Sequence, residues 1–572
     1  MTELRSQGWY GGEGRDGYIH RAWMRRGSPD DAFDGSRPQI AIANTASDLT
    51  PCNMHLDEIS AAVKRGVAEA GGVGLDLPVV SLGETLVRPT AMLWRNMAAM
   101  AMEEMFRANP IDGLVLLGGC DKTIPALLMA AASVGIPAVV VPGGPMMNGM
   151  FRGQRMGCGT GVWQLSEEVR AGTLSQEAFL ASDRSMVRSK GHCSTMGTAS
   201  TMAIMAEALG MTLPGTAGTP ATDSRLIEAS ILTGRLAVDL VREGRTIADV
   251  ITKESFHNAI VAIAATGGST NAVVHMLAIA GRLGIDLTLE DFDRIGADVP
   301  LLVNLQPSGK FLMEDLYNAG GLLAVLAEVK DLLDPTPITV TGRPLVDYLD
   351  EQPIWNTEVI TPRDEPLIEA AGIAVLRGNL APNGAIIKPA AASPHLLQHR
   401  GKAIVFDSIE DFHARVDDPD LDVTPDSVLI LRGCGPMGYP GMPEVANLPL
   451  PQKILKQGVR DMVRISDGRM SGTAYGTVVL HVAPEAAAGG LLGLVQDGDE
   501  IVLDVANRSI TLDVPEEELA RRTPSPALVA GYASATRGWE RLYIEHVQGA
   551  DTGADLDFLV GASGSEVTRE SH

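Results

Sequence analysis

From residue 39 onward the chain alternates short β-branched runs with longer helical patterns, a rhythm that few folds accept. IAIAN precedes LDEISAAVKRGVAEAGG, PVVSLG precedes RPTAMLWRNMAAMAMEEMFRANP, DGLVLLGG precedes TIPALLMAAASVG, and PAVVVPGG closes the series. Near-continuous apolar strands separated by helices predict a parallel sheet covered on both faces, a doubly wound α/β core. From about 195 to 330 the pattern is mainly helical. TASTMAIMAEALGM, SRLIEASILTGRLAVDLVREG and NAVVHMLAIAGRLG carry apolar positions at three and four spacing and suit padding of that sheet. Aromatic residues make up only 4% of the chain, so the cores rest on Ala, Val, Leu, Ile and 24 Met.

Pro335, Pro337, Pro344, Pro353, Pro362 and Pro366 mark a connection between domains. After about 375 the period changes to short strands: GAIIKPA, KAIVFDS, SVLILRG, MVRISDG, TVVLHVA and the hairpin-like EIVLDVANRSITLDV. Closely spaced strands without long helices predict a β-barrel or sandwich. The expected division is an α/β domain over 1–370 and a β-barrel-like domain over 371–572.

A chain of 572 residues buries large cores without disulfide staples, and its five cysteines are spread widely. The net charge of −25 argues against a nucleic acid or an anionic membrane as partner. It leaves room for a small anionic substrate, because a metal ion or a few donors reverse the field inside a pocket. The first twenty residues have no apolar signal core, and LLMAAASVGIPAVVV is short and broken by Gly135 and Pro137. A cytoplasmic protein with reduced cysteines is expected.

Parallel α/β sheets bind ligands at the carboxyl ends of their strands. There the chain places Cys52 in TPCNMH, Glu84 in SLGET, and Cys120-Asp121-Lys122 in LLGGCDKT. Cys193 stands in GHCSTMGTAST, a Gly and Ser/Thr-rich segment leading into a helix, where backbone N–H groups favour a thiolate or an anion. A solitary cysteine is usually a small buried apolar residue. Cys158 and Cys434 keep that reading, whereas Cys52, Cys120 and Cys193 stand in loops or caps. Their separations of 68 and 73 residues match no zinc-finger or ferredoxin spacing. GGCDKT is not a phosphate-binding loop, since Asp121 and Leu116 occupy positions that need glycine.

Lys122 opens a helix, where a positive charge opposes the dipole. It is either a salt-bridged lysine or, beside Asp121 and Glu84, a carbamate offering oxygen to a hard cation such as Mg²⁺. RGCGPMGYPGMPE ends in Glu444 after a Gly/Pro-rich loop, which makes it either a candidate site residue or a solvated turn glutamate. Ser471, in ISDGRMSGTAYGT, is a turn former or a residue approached by ligand. It is not a nucleophile elbow, because Arg469 stands where the first glycine belongs.

Together PCNMHL, GGCDKTIPALLMAAAS, GHCSTMGTAST, ATGGSTNAVVH, GNLAPNGAIIK, GPMGYPGMPE and SDGRMSGTAYGTVVLHVAPEAA resemble, in order, the dihydroxy-acid and sugar-acid dehydratase family. These are iron–sulfur hydro-lyases that include 6-phosphogluconate dehydratase, and the likeness runs from about residue 36 to the end. SLGETLVRPTAMLWRN resembles the L-arabinonate and D-xylonate dehydratase branch and lacks the DGI-x-MGH-type segment of the branched-chain enzymes.

The resemblance implies Cys52, Cys120 and Cys193 on a [2Fe–2S] cluster with one iron site open. A [4Fe–4S] cluster remains an alternative. It also implies Glu84, Asp121, carbamylated Lys122 and Glu444 on Mg²⁺, with Ser471 as catalytic base beside Thr473. The implied reaction turns a 2,3-dihydroxy sugar acid into a 2-keto-3-deoxy acid, on a homodimer or homotetramer. The alternatives are a dihydroxy-acid dehydratase of branched-chain synthesis, an iron–sulfur redox protein, and a scaffold without cluster. Arg88, Trp94, Arg152 and His192 are candidates for the substrate pocket.

Overall fold

The strands β1 (Gln39–Asn44), β2 (Val73–Pro78), β3 (Gly113–Gly118) and β4 (Ala138–Pro142) form a parallel sheet in the order β2-β1-β3-β4. The architecture is that of a computed structural model describing residues 3–528, 535–564 and 567. β1, β3 and β4 are buried at every position, which is why their sequences are unbroken apolar runs. In register, Ala43 lies opposite Leu77 on one side and Leu116 on the other.

One expected strand is displaced. PVVSLG is not a strand beyond Pro78; the pairing segment is VGLDLP, and VVSLG runs on as the connection that delivers Glu84. β2 is one of the two edge strands and, unlike the fully buried edge strand β4, is only partly buried, so it carries Gly74 and Asp76 instead of an apolar run. The pattern that marks β1, β3 and β4 is therefore missing from it.

Helices Leu56–Glu69 and Ser224–Glu243 pack on each other and on the sheet. They meet at Gly66 and Gly234: a Cβ at Gly66 would stand 1.9 Å from the Ile231 carbonyl oxygen, and one at Gly234 2.2 Å from that of Val63. A second group holds Thr123–Val134 against the sheet, with Ala91–Ala108, Thr198–Ala208 and Asn271–Arg282 around it. Thr198–Ala208 is buried at every residue, which explains its lack of a polar face.

Eight strands then close a barrel in the spatial order 428–431, 464–466, 478–483, 381–387, 374–378, 509–512, 500–504 and 398–406. EIVLDVANRSITLDV forms the expected hairpin, pairing Asp504 with Ser509 across its turn. Ala385, Ile387, Val405, Ile430, Ile465, Val479, Ile501 and Ile510 are among the buried residues of the barrel's core. The protein is thus an α/β sheet with flanking helices joined to a closed barrel.

The chain beyond the barrel returns to the helices. Arg95 donates to the carbonyls of Gly553 and Ala554, and the fully buried Arg282 pairs with Asp555 at 2.6 Å and Glu103 at 2.9 Å. Among the described residues no helix is long and apolar enough to cross a membrane.

Candidate active site

The loops after β2 and β3 meet a loop of the barrel around one side chain. Lys122 caps the helix Thr123–Val134, and its side chain is fully buried. Its Nζ lies 2.9 Å from Glu84 Oε2, 3.3 Å from Asp121 Oδ2 and 2.9 Å from Glu444 Oε1. Glu444, 322 residues further along the chain, is no solvated turn residue. Carboxylate oxygens of Glu84, Asp121 and Glu444 all fall within 4.8 Å of one another.

These acids are held by a second layer. Arg469, fully buried, donates to Glu444 Oε1 at 2.9 Å, to the Met442 carbonyl at 2.8 Å and to Thr90 Oγ1 at 3.2 Å. Thr90, the N-cap of Ala91–Ala108, donates in turn to Glu84 Oε1 at 2.7 Å. Asn271 reaches Glu444 Oε1 at 2.8 Å and Thr198 Oγ1 at 2.9 Å. Neither Arg469 nor Thr90 in RPTAM nor Asn271 in GGSTN carries a sequence signal of this role; each is defined by the acid it holds.

The electrostatics follow from burial and charge. Burial opposes ionisation of Glu84, but the charges of Lys122 and Arg469 outweigh it and hold the carboxyl below its ordinary value. Glu444 goes the other way: burial raises it, and Lys122 offsets this only in part while Glu84 adds to it. Burial disfavours the Lys122 ammonium, yet Glu444 and Glu84 together push its pKa above the usual lysine value. A cation therefore already sits at the focus of the three acids. Oxygen donors from flexible carboxylates suit a hard divalent ion, and Glu84 Oε2 is buried without an aligned hydrogen bond. The donor set fits Mg²⁺.

The cysteines lie alongside, since Cys120 directly precedes Asp121. Cys52 is a free thiol whose pKa is raised well above the ordinary value by hydrogen bonding with the neighbouring Cys120 thiol and by burial; Cys120, Asp121 and Cys193 add to the effect through their charge. Cys193 is held up in the same direction by its bond to Cys158 and by burial. Thiol side chains from three separate segments meet here, which suits a soft iron–sulfur group.

Cys158 departs from the expectation of an inert core residue. Its Sγ lies 2.6 Å from Cys193 Sγ and accepts from the Ser194 N–H at 3.1 Å. The bond from Cys193 lowers its thiol to about 7 despite burial. Its segment, GQRMGCGTG, carries no strand-end pattern that would set it apart from a core cysteine. Cys434 does sit in an apolar cluster, against Leu431, Leu448 and Met462.

Ser471 and Thr473 share a hydrogen bond of 2.9 Å between their hydroxyls, and the Thr473 N–H donates to Ser471 Oγ at 3.3 Å. Trp163 Nε1–H donates to Thr473 Oγ1 at 3.0 Å, and Thr160 to the Thr473 carbonyl at 2.9 Å. Gly472 lets the loop approach Thr198–Ala208, because a Cβ there would stand 2.6 Å from the Thr198 nitrogen. The preceding Met470 pairs with Val445, next to Glu444, and its carbonyl accepts from Asn271.

The pocket candidates divide. His192 is buried beside Cys193, its Nδ1 3.0 Å from the Cys193 carbonyl oxygen and its Nε2 without a partner; burial lowers its pKa to about 4. Trp94 packs near Leu93, Tyr543 and Leu556 and donates to the Arg88 carbonyl. Arg152 is exposed, over the Phe151 ring.

Comparison with known proteins agrees in both halves. The family model for the dihydroxy-acid/6-phosphogluconate dehydratase N-terminal region matches residues 37–348, and its C-terminal counterpart matches 358–554. The chain is 55% identical to an L-arabinonate dehydratase of Rhizobium leguminosarum bv. trifolii, covering 100% of this chain and 98% of the relative. It is 54% identical to an L-arabonate dehydratase of Azospirillum brasilense (100% and 99% covered) and 39% identical to a D-xylonate dehydratase of Caulobacter vibrioides (95% and 93% covered). With both halves matched in order over nearly the whole length, the chain belongs to the dihydroxy-acid/6-phosphogluconate dehydratase family.

Proposed function

We propose that the protein dehydrates an aldonate, a 2,3-dihydroxy sugar acid, to a 2-keto-3-deoxy acid. The carrying observation is the convergence of Glu84, Asp121 and Glu444 from both halves of the molecule on one buried point beside the cysteines. Similarity to relatives named for arabinonate and xylonate supports a sugar acid.

In this reading Cys52, Cys120 and Cys193 hold a [2Fe–2S] cluster. Glu84, Asp121, Glu444 and Lys122, as a carbamate, hold Mg²⁺. When bound, the two groups supply Lewis acidity, one for departure of hydroxide from C3 and one for charge gathering on the substrate carboxylate. Conversion of Lys122 to a carbamate consumes carbon dioxide and releases two protons, one as the ammonium becomes the amine and one as the amine nitrogen bonds carbon, replacing a cation at the focus by an anion.

Ser471 removes the C2 proton. A serine alkoxide forms only where donors stabilise it, and Thr473 supplies two, its N–H and its hydroxyl. The Trp163 N–H bonded to Thr473 Oγ1 leaves the threonine proton to point at Ser471. Arg469 and Asn271 keep Glu444 in place while charge shifts nearby. A homodimer or homotetramer acting in the cytoplasm belongs to the same proposal.

The test is an anaerobic assay for 2-keto acid with iron, sulfide and Mg²⁺ supplied, across L-arabinonate, D-xylonate, other aldonates and 2,3-dihydroxyisovalerate. An aldonate is expected to give the highest kcat/KM without any electron acceptor. Preference for dihydroxyisovalerate would overturn the sugar-acid reading, and reversible reduction with no keto acid from any substrate would overturn the hydro-lyase.

A further inference from the structure

We propose that Cys158 and Cys193 form an oxidative modification site: in the cluster-free chain the two thiols close a reversible disulfide by exchange with a low-molecular-weight disulfide such as oxidised glutathione. The consequence for iron loading rests on the reading of Cys193 as a cluster ligand; the bond itself rests on geometry alone.

The two sulfurs stand 2.6 Å apart, so reaching a covalent S–S length of about 2.05 Å takes a movement of roughly half an ångström. Their segments are already tied together. The Cys193 thiol reaches the Cys158 carbonyl at 3.3 Å, and the Ser194 N–H reaches Cys158 Sγ at 3.1 Å. The Cys158 segment is fixed on both sides, by Gly157 N–H to Gln306 Oε1 at 3.1 Å and by Thr160 Oγ1 to the Thr473 carbonyl at 2.9 Å.

Cys193 is the more open of its pair and Cys158 is buried behind it. The small disulfide therefore meets Cys193 first. Cys193 reacts through the minor fraction that has given up its proton: its sulfur attacks, one small thiol leaves carrying a proton, and a mixed disulfide remains. The Cys158 sulfur then attacks Cys193 Sγ and releases the second small thiol. Two electrons pass from the cysteine sulfurs to the small disulfide, and the two thiol protons leave on its two halves. The closed pair withholds Cys193 from iron and also keeps it from irreversible oxidation to sulfinic acid. A thiol reductant reverses both effects.

The experiment uses the full chain, stripped of iron anaerobically, incubated with oxidised glutathione, alkylated, digested without reduction and mapped by mass spectrometry. A peptide pair joining Cys158 to Cys193 is expected, lost on reduction with dithiothreitol. Cys158→Ser is expected to carry glutathione on Cys193 instead. In the wild type, oxidation is expected to abolish iron uptake and dithiothreitol to restore it, while reduced Cys158→Ser loads iron as the wild type does. Glutathione retained on Cys193 of the wild type, or a Cys52–Cys120 link in preference, overturns the proposal. If the linked peptide forms but the reduced chain takes up no iron, the disulfide stands and the cluster reading fails.

Discussion

Lys122→Met tests whether one ammonium neutralises the three acids. In the metal-free, bicarbonate-free chain the substitution keeps most of the side-chain volume and removes only the charge at the focus. Volume-conserving replacement by itself costs less than about 1.5 kcal/mol. Removing one partner of a buried ion pair costs about 3–5 kcal/mol, because the other charge is left uncompensated. Nζ serves three carboxylates at 2.9, 3.3 and 2.9 Å, so the loss belongs at the top of that range.

The pH dependence has a definite sign. Glu84, held below its ordinary value, contributes stability above its unfolded pKa and loses it as pH falls through the lower folded value. Lys122, raised above its ordinary 10.5, contributes fully below that value and loses this only as pH rises through the folded one. Both contributions are intact in the wild type near neutrality. In the variant the orphaned acids are driven to take up protons, so the stability gap between wild type and variant narrows between about pH 8 and pH 5. Urea and thermal unfolding of both chains at the two pH values measure the gap. Mg²⁺ at a hundred times its Kd for the variant should return about 2.7 kcal/mol. A gap under about 1 kcal/mol at pH 8, or one that widens on acidification, refutes the reasoning.

Ser471→Ala should lower kcat by about 10²–10⁴ while iron content and visible absorption stay unchanged; a near-native rate removes serine as the base. Thr473→Val deletes one of the two donors to Ser471 and should shift the ascending limb of the pH–rate profile to higher pH, with an unmoved profile counting against the donor role. Cys120→Ser should cost the chain its iron and its visible absorption, and an unchanged spectrum with full iron excludes it as a ligand. Lys122→Arg keeps a cation but forms no carbamate. It should lose Mg²⁺-dependent turnover and the carbon-13 signal that labelled bicarbonate gives in the wild type, and full activity would rule the carbamate out.

The sequence showed β1, β3 and β4 plainly because burial on both faces writes itself as an unbroken apolar run. β2 was misplaced by about one strand length because it is only partly buried, whereas β4, at the other edge, is covered along its whole length and keeps the apolar run. The placement of Asp121 and Lys122 in the cluster was legible because strand ends are where such sheets bind ligands. What joins Lys122 to Glu444 is closure of the barrel onto the helices, and no periodicity records a meeting of residues 322 apart. Arg469 and Asn271 were missed for the same reason, being defined by what they hold. The neighbours of Cys158 carry no pattern, and only its position against Cys193 distinguishes it from Cys434.

The acids that surround Lys122 come from different halves of the chain, Glu84 and Asp121 from the sheet side and Glu444 from the barrel side. An ion gripped by all of them is at once a ligand and a bolt. Whatever free energy it gains from Glu444 is gained only while the halves are seated, so affinity for the ion and affinity of one half for the other are coupled, each raising the other by the same factor. A substitution far from the chemistry that loosens the seam then shows up as a weaker ion, and a chelator shows up as a looser seam.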